Sequence, residues 1–420
     1  MSRRSAAGAR PIGQAGDSAP RAKSGATKRG ERRAGLGRGS GGPGGVHGST
    51  RSGQSGRERR HATLITPSRP IVIIGAGGIV HDAHLPAYRQ AGFPVAGICD
   101  LDAAKAAALA RQFAIPRVYS TLAEAVRAAP PEAVFDVAVP APALQAVVAE
   151  LPAGRAALLQ KPLGESLAQA QAIAALCRRR QLRAAVNFQL RYAPNVLAAR
   201  DLLAGGALGQ LHAMEARVNV HMPWGLWTFL ARHPRVEVLY HSIHYLDLIR
   251  GFLGDPRGVY AKTIRHPATP DMGPTRSAII LDYGDQFLAT VTATHHNVFG
   301  PERQESFIRW EATRGMIIAQ MGLNLDYPAG RPDTLEYAVV EGDPASGSAQ
   351  AKPVWHSVPL AGNWIPNAFI GTMASVMRWA DDANAPAPTA VEDAVKTMAV
   401  VEAAYASSAA GGHPLDLAER

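Results

Sequence analysis

Two kinds of hydrophobic pattern follow one another along the chain, and they meet near residue 187. In the first part, apolar runs of strand length alternate with amphipathic stretches of helical spacing, which is typical of a parallel sheet with crossover helices. The runs predicted as strands are residues 70–74, 94–100, 117–119, 133–139, 156–160 and 182–188. The stretches predicted as helices are residues 81–90, 101–113, 121–128, a helix ending at 151, and 166–181.

Beyond residue 187 the chain consists mainly of alternating or apolar strands with few helices between them. The predicted strands are residues 213–220, 259–265, 276–283, 287–295, 305–311 and 316–321. The predicted helices are residues 239–252, 366–380 and 390–407. One face of such a sheet packs on a core, and its other face is suited to pairing with a second subunit.

The two patterns predict an α/β protein with three parts. Residues 1–68 form a disordered basic tail, and residues 69–187 form a Rossmann-type domain with a doubly wound parallel sheet. Residues 188–420 form an α/β domain with a large, open, mostly antiparallel sheet, and its C-terminal helices can pack back on the first domain.

The formal net charge of +10 comes from the tail. The first 60 residues hold 14 Lys and Arg against three acids, while the whole chain holds 44 against 34, so the remainder is close to neutral. A segment this rich in Gly, Ser, Ala and Arg buries too little apolar area to fold alone. It could bind polyanions loosely, without specific nucleic-acid recognition, or it could be translated sequence upstream of the true start.

The rest of the composition predicts a cytoplasmic protein. Cys99 and Cys177 fall in a predicted strand and a predicted helix, where we expect core residues rather than a disulfide or a thiolate metal site. No apolar stretch reaches the ~20 residues that cross a bilayer, and the tail lacks the apolar core of a secretory signal.

A glycine-rich turn follows the first strand and precedes a helix. Gly75 suits a tight turn and Gly77 leaves room for a pyrophosphate beside helix N–H groups, although Val80 occupies the third glycine position of the dinucleotide-binding fingerprint. Asp100 ends the next strand, close to the spacing of a carboxylate that accepts bonds from an adenine ribose. This carboxylate would repel a 2′-phosphate, and Leu101 rather than an Arg follows it, so NAD is favoured over NADP.

Two further stretches carry candidate catalytic groups. Lys161 lies at the carboxyl end of a parallel strand, the edge at which open α/β sheets bind ligands, and its ammonium can stabilise a developing alkoxide there. Tyr240, His241 and His244 share one face of the predicted helix, and an imidazole in this position can take a hydroxyl proton. Helix packing is the alternative for these residues. Zinc binding is disfavoured because His-x-x-His has no evident third ligand.

Several other residues give weaker signals. Trp224 and Trp227 lie in a loop interrupted by Pro and Gly, where they can stack on a sugar ring or serve as a lid or interface plug. The segment 295–297 ends a strand and faces either a pocket or solvent. Asp247 lies one helical turn beyond the histidine pair, where it can orient an imidazole or pack elsewhere.

A second histidine pair and several missing motifs narrow the range of functions. His81 and His84 are expected in the first turn of a helix rather than as ligands. The chain contains no Gly-x-Ser-x-Gly, Walker loop or Cys-x-x-Cys. Hydrolase, kinase and thiol-redox functions therefore lack a nucleophile or a phosphate cradle.

Five motifs in this order resemble the Gfo/Idh/MocA family, the relatives of glucose–fructose oxidoreductase and inositol 2-dehydrogenase. They are Gly75-Ala-Gly-Gly-Ile79, Asp100, Gln160-Lys-Pro162, Asn187-Phe-Gln-Leu-Arg-Tyr-Ala-Pro194 and the helix that carries His244. The resemblance extends from Pro70 to the C-terminus. It implies a Rossmann domain, a second domain whose open sheet forms homodimers or homotetramers, and hydride transfer between NAD(P) and a carbinol of a sugar or cyclitol.

The resemblance also implies roles for individual residues. Lys161 and His244 take the positions of the family's catalytic lysine and histidine. We expect Arg191, Trp224, Tyr240 and His241 to line the substrate side. The residues expected to bind the cofactor are Gly75, Gly77, Gly78, Ile79, Asp100, Val139, Pro140, Gln160, Lys161 and Gln189.

The sequence departs from the family pattern in three motifs. Gln160 replaces the Glu of Glu-Lys-Pro, which removes a carboxylate beside the lysine. Tyr240 replaces the Asp usually found four residues before the histidine, and His241 or the Tyr240 hydroxyl could substitute for it. Val139 replaces a Thr, with Leu144 where a histidine often stands.

We therefore predict an NAD-dependent dehydrogenase that transfers a hydride to or from a hydroxyl-bearing carbon of a sugar, polyol or cyclitol, with NADP the less favoured cofactor and no metal. The departures leave open an NAD-dependent sensor without turnover on the same scaffold. Two more functions stay open at this point: redox-assisted glycosidic cleavage with tightly held NAD, and polyanion binding through the tail.

Overall fold

The first sheet has six parallel strands in the order β3-β2-β1-β4-β5-β6. The strands are β1 (Ile71–Ile74), β2 (Val95–Cys99), β3 (Val118–Tyr119), β4 (Val134–Val137), β5 (Ala156–Leu159) and β6 (Arg183–Val186). The helices between them are α1 (Leu85–Ala91), α2 (Ala103–Phe113), α3 (Leu122–Ala128), α4 (Ala141–Glu150) and α5 (Leu167–Arg179). This order confirms the predicted doubly wound sheet, whose direction of winding reverses between β1 and β4.

The computed structural model describes residues 69–226, 230, 233–340 and 353–412. These residues belong to one compact unit. The predicted tail over residues 1–68 and the loop residue Trp227 lie outside the described residues. Within the described ranges, no helix combines the length and the apolar character needed to cross a membrane.

Side-chain caps fix the starts of three helices in the first domain. Asp102, Thr121 and Ser166 each accept hydrogen bonds from backbone N–H groups in the first turn of α2, α3 and α5. These are donors that a helix leaves unpaired at its start. The predicted helices therefore begin where the polar capping residue meets the amphipathic pattern.

The second sheet has eight strands in the order β14-β13-β12-β11-β7-β10-β9-β8. All neighbouring pairs are antiparallel except β7 and β10, which run parallel, so the mostly antiparallel sheet is confirmed. The strands are β7 (Leu211–Asn219), β8 (Gly258–Ile264), β9 (Arg276–Asp282), β10 (Leu288–Thr294), β11 (Glu305–Ala312), β12 (Gly315–Gln320), β13 (Thr334–Val339) and β14 (Val354–Ser357). The last two were not predicted.

Helices cover one face of this sheet and connect it to the first domain. A π-helical turn (Val238–Ser242) leads into α7 (Ile243–Leu253), and α9 (Val391–Ala410) packs beside α7 on the sheet and on α5. The sheet contributes fully buried side chains such as Trp310 to the shared core. The structure also has α6 (Pro194–Ala204), a helix that was not predicted.

The penultimate helix, α8 (Trp364–Asp381), returns to the parallel sheet. Its Phe369 and Met373 share a hydrophobic core with Ile71 and Ile73 of the central strand β1. The helix α8 therefore packs on the first domain, although it lies far from that domain in the sequence.

The outer face of the second sheet carries apolar side chains in solvent. Alternation along β9 buries one set of residues and exposes the other. Tyr260, Ile264, Ile280 and Leu288 are exposed on β8, β9 and β10. Pairing of this face with a second copy of the chain stays a prediction.

Candidate active site

The glycine-rich turn leaves open space at the end of β1. Gly75 has a φ of +112°. It lies so close to the end of the neighbouring strand β4 that an added Cβ would lie 2.3 Å from the backbone oxygen of Ala138. Gly77 is exposed, and nothing lies within 4 Å of the position that its Cβ would take. Helical structure begins directly after the turn, and the first N–H groups of a helix have no partner within it. The turn therefore suits an anionic group such as a phosphate.

Asp100 is held beside this turn by backbone N–H groups. Its Oδ2 accepts a hydrogen bond from the Ala76 N–H at 2.6 Å, and its Oδ1 accepts one from the Asp102 N–H at 2.7 Å. Each oxygen keeps a second lone pair with which it can accept another bond. The carboxylate is thus fixed in orientation and retains capacity for a pair of hydroxyl groups.

The other predicted cofactor residues follow neighbouring strands at the same edge of the sheet. Val139 and Pro140 come after β4, and Pro140 begins α4. Gln160 follows β5, and its Oε1 accepts a hydrogen bond from the Lys161 N–H at 3.1 Å. Gln189 follows β6 and is buried, and its Oε1 has no hydrogen-bond partner among the described residues.

Lys161 reaches from the first domain to the second. Its Nζ donates a hydrogen bond of 2.9 Å to the backbone oxygen of Tyr240 in the π-helical turn. Burial lowers the pKa of Lys161 to about 8, so the side chain is still an ammonium at neutral pH. A positive charge thus lies where the parallel sheet meets the π-helical turn before α7.

The two helix histidines lie within the field of this ammonium. His244 is buried, and burial followed by the charge of Lys161 holds its pKa well below the usual value. The pKa of His241 is lowered in the same direction, by burial first and then by His295, Lys161 and His244. Both imidazoles are therefore neutral at physiological pH and can accept protons. The charge of Lys161 acts on both histidines, which places the three groups in one region of the structure, and their catalytic roles stay a prediction.

Unpaired nitrogen atoms surround the same region. Nδ1 of His241, Nδ1 of His244, both ring nitrogens of His295 and Nε1 of Trp224 are buried without a hydrogen-bond partner among the described residues. Ring centroids lie 5.7 Å apart for Trp224 and His241, and 4.6 Å apart for His241 and His295. An unsatisfied buried polar group costs about 1–3 kcal/mol. This set therefore suits a ligand with several hydroxyl groups.

The backbone oxygen of Tyr240 accepts the hydrogen bond from Lys161. The Tyr240 side chain contacts residues that were not predicted from the sequence. The hydroxyl donates to Glu165 Oε1 at 3.4 Å, and His233 Nε2 lies 3.1 Å from the same oxygen. The ring of His233 packs edge-on against that of Tyr240. Glu165 closely follows Lys161 in the chain, and that proximity was the only sequence signal for it.

Arg191 is not brought to this site, contrary to the prediction that it contacts substrate. Its Nε and Nη2 each donate to Asp247 at 2.7 Å, and Nη2 also donates to Asp393 at 2.8 Å. Burial opposes the charge of Arg191, but these two carboxylates outweigh it and raise the pKa of the guanidinium. Asp247 therefore packs elsewhere rather than orienting His244. Both residues hold α9 against α7.

His84 belongs to a buried polar network under the first helix. Its Nδ1 lies 2.7 Å from Asp136 Oδ2, which also accepts a hydrogen bond of 2.8 Å from the Tyr88 hydroxyl. Asn187 Nδ2 lies 3.3 Å from His84 Nε2, and Thr372 of α8 donates to Asn187 Oδ1. The network ties the helix after the glycine turn to the strand edge and to α8, which is the structural role expected for His84.

Comparison of the sequence with family models decides which family these features represent. The oxidoreductase family model with an NAD-binding Rossmann fold matches residues 69–188, and the GFO/IDH/MocA C-terminal domain model matches residues 196–321. The chain belongs to the Gfo/Idh/MocA oxidoreductase family. It is accordingly an NAD(P)-dependent oxidoreductase that acts on CH–OH groups. The open space at Gly77 and the oriented carboxylate of Asp100 fit the dinucleotide that Gfo/Idh/MocA proteins bind.

Curated relatives within the Gfo/Idh/MocA family are sugar enzymes. The chain is 27% identical over 334 residues to D-apiose dehydrogenase of Rhizobium rhizogenes, which covers 78% of this chain and 91% of the relative. It is 29% identical over 349 residues to D-apiose dehydrogenase of Paraburkholderia graminis, which covers 81% of this chain and 87% of the relative. A 1,5-anhydro-D-fructose reductase of Ensifer adhaerens is 25% identical over 303 residues, or 70% and 89% of the two chains.

Solved structures show the same fold. An Agrobacterium radiobacter oxidoreductase in complex with NAD⁺, L-tartaric acid and magnesium has a TM-score of 0.66 at 23% identity, and the match covers 81% of this chain and 96% of that one. UDP-N-acetylglucosamine 3-dehydrogenase from Acidithiobacillus ferrooxidans has a TM-score of 0.63 at 18% identity, with 81% and 97% covered.

Proposed function

We propose that this protein is a sugar dehydrogenase that oxidises one hydroxyl-bearing carbon, with NAD as its cofactor. The observation that carries the proposal is the hydrogen bond from the Lys161 ammonium to the backbone oxygen of Tyr240, four residues before the buried His244, whose pKa is lowered by burial and then by the charge of Lys161. The carbinol carbon to be oxidised would lie between these groups and the cofactor. A polyol or cyclitol offers the same chemistry and belongs to the substrate class to be tested.

Lys161 would hold the reacting oxygen. An ammonium has three donors, and one of them is used on the Tyr240 oxygen. The others can donate to the substrate hydroxyl and stabilise the negative charge that develops on its oxygen. His244, kept neutral by burial and by Lys161, can accept the hydroxyl proton. When bound, NAD supplies the acceptor for the hydride that leaves the carbon.

The unpaired nitrogens of the site support a sugar as the substrate class. Imidazole and indole nitrogens can bond several hydroxyl groups, and the face of Trp224 offers a surface on which a sugar ring can stack. The three curated relatives carry sugar names, and two of them are D-apiose dehydrogenases. D-Apiose is therefore the first candidate.

The preference for NAD over NADP rests on Asp100. Its carboxylate is oriented by two backbone N–H groups and would repel a 2′-phosphate. A further relative, from Haloferax volcanii, is a D-xylose 1-dehydrogenase named for NADP⁺, so both cofactors occur among relatives.

The test is a substrate panel with the purified full chain. D-Apiose, D-xylose, D-glucose and myo-inositol are each incubated with NAD⁺ and with NADP⁺, and reduced nicotinamide is measured by absorbance. We expect turnover of at least one sugar, with kcat/KM at least about tenfold higher for NAD⁺. Binding of NADH without turnover of any compound would overturn the proposal.

A further inference from the structure

A buried carboxylate and imidazole lie next to the substrate side of the site. Glu237 precedes the π-helical turn and is fully buried, and its Oε1 accepts a hydrogen bond from the Ser242 hydroxyl. His295 follows β10 and is also buried. Its Nε2 lies 3.5 Å from Glu237 Oε1. The two residues come from distant segments and are brought together only by the fold.

His295 is the imidazole that faces the Glu237 carboxylate. The second oxygen, Oε2, has no hydrogen-bond partner among the described residues. The hydroxyls of Tyr245 and Tyr405 lie in the field of the carboxylate; burial raises the pKa of each, and Glu237 adds to that effect. A buried carboxylate is costly unless it is paired, and within the described residues only His295 forms an ion-pair contact with it.

This pairing determines how His295 can bond a ligand. Nε2 has no hydrogen-bond partner among the described residues, but it is the ring nitrogen nearest the carboxylate, at 3.5 Å, and the negative charge there favours the tautomer with its proton on Nε2. Nδ1 is then an acceptor. Nδ1 is buried and has no hydrogen-bond partner among the residues described. Glu237 therefore leaves the far nitrogen of His295 ready to accept a hydroxyl proton in a hydrogen bond.

The ring of His295 lies beside two residues that are predicted to line the substrate side. Its centroid lies 4.6 Å from that of His241 and 5.8 Å from that of Trp224. His241 in turn lies in the fields of Lys161 and His244, which contribute to its lowered pKa after burial and His295. The carboxylate–imidazole pair is thus continuous with the residues that would handle the reacting hydroxyl.

We propose that His295 binds a sugar hydroxyl other than the one oxidised, and that Glu237 positions it through Nε2. This inference rests on the proposed sugar dehydrogenase function and adds a residue that determines specificity. His295 contacts substrate, whereas Glu237 acts only through His295. Neither residue takes part in hydride or proton transfer, so their loss changes KM more than kcat.

The experiment is a double-mutant cycle with His295→Gln, Glu237→Gln and the double variant. Each is assayed with NAD⁺ and the sugar of the panel that gives the highest kcat/KM. We expect KM for the sugar to rise about tenfold in each single variant, with kcat within about threefold and the Kd of NADH unchanged. Because Glu237 acts through His295, the double variant has the same KM as His295→Gln alone. Glu237→Gln keeps a side-chain oxygen that can accept from Ser242, so we expect the variant to fold.

The outcomes separate the inference from the function on which it rests. His266→Gln is the matched control, because the ring contact of this partly exposed imidazole is with His296 and no ring contact within the described residues joins it to His241, His244 or His295, so we expect its KM to equal that of the wild type. An active wild type with unchanged KM in His295→Gln, or with additive effects in the double variant, overturns the inference alone. A wild type that turns over no sugar overturns both.

Discussion

The ammonium of Lys161 donates a hydrogen bond of 2.9 Å to the backbone oxygen of Tyr240. Lys161 follows β5 of the parallel sheet and Tyr240 precedes α7, so this bond joins the two domains at the site. A backbone oxygen is a neutral acceptor, and it orients the ammonium without neutralising its charge. The charge remains available to a substrate oxygen and contributes, after burial, to the lowered pKa of His244.

Replacing Lys161 by Met removes the charge while keeping most of the apolar stem. We expect kcat to fall by about 10²–10⁴, because the developing charge on the substrate oxygen loses its donor. The Kd of NADH is expected to stay within about threefold, since Lys161 is only one of the residues expected to bind the cofactor and the phosphate turn and Asp100 are untouched. Steady-state kinetics and fluorescence titration with NADH measure the two quantities.

The matched control is Lys262→Met, which removes an exposed lysine of β8. We expect this variant to keep the kinetics of the wild type, because Lys262 is exposed on the second sheet and is not among the candidate site residues. Undiminished kcat in Lys161→Met would remove this lysine from the mechanism.

We expect the rate to depend on pH through Lys161. Its pKa of about 8 means that the ammonium is present at neutral pH and is lost above that value. The pKa of His244 lies well below its usual value, so the base stays neutral across the range in which Lys161 is charged. We expect kcat/KM to be level near neutral pH and to fall about tenfold per pH unit above the pKa of Lys161.

The variant Lys161→Arg tests whether the fall in kcat/KM at high pH is caused by Lys161 or by another titrating group. A guanidinium stays protonated at every pH of the assay, so the fall at high pH disappears in whatever activity the variant keeps. A profile that retains the same falling limb in Lys161→Arg would assign the titration to another group.

Most of the fold could be predicted because period-two and helical patterns depend on which face of an element is buried. Two of the failures, β14 and α6, follow from the same reason. In β14 all four residues are exposed, so the strand has no alternation and is held by backbone pairing with β13. The helix α6 begins at Pro194 and buries a polar residue, Asn195, among apolar ones, which weakens its amphipathic pattern.

The location of a candidate residue could be predicted where that residue directly follows a strand of the parallel sheet. Lys161 and Asp100 follow parallel strands, so topology alone brings them to one edge. Pairings between distant segments could not be predicted in this way. Arg191 donates a hydrogen bond to Asp393, which is 202 positions away, and Glu237 lies beside His295, which follows a strand of the second sheet. A charged residue near a motif is therefore a weak guide to substrate contact.

The ion pairs of Arg191 should affect stability rather than substrate binding. Arg191→Leu leaves the buried carboxylate of Asp247 without its partner, and breaking such a pair costs about 3–5 kcal/mol. We expect the free energy of unfolding in urea to fall by about this amount, while KM for the sugar stays unchanged in the folded fraction.

An exposed ion pair supplies the comparison. Arg217 of β7 pairs with Glu305 of the neighbouring strand β11, and both side chains are more than 40% exposed. Arg217→Leu is expected to cost less than about 1 kcal/mol. A rise in the KM of Arg191→Leu without loss of stability would restore Arg191 to the substrate side.

Two glycines of the same turn should respond in opposite ways to alanine. At Gly77 an added methyl group meets nothing within 4 Å, so Gly77→Ala is expected to leave the free energy of unfolding within about 0.5 kcal/mol. The methyl group projects into the space that a phosphate would use, and we expect the Kd of NADH to rise about tenfold. At Gly75 the φ of +112° and the backbone oxygen of Ala138 oppose any Cβ, so Gly75→Ala should cost at least about 2 kcal/mol. Urea unfolding and NADH titration of both variants check the contrast, and unchanged NADH affinity in a folded Gly77→Ala protein would mean that the phosphates lie elsewhere.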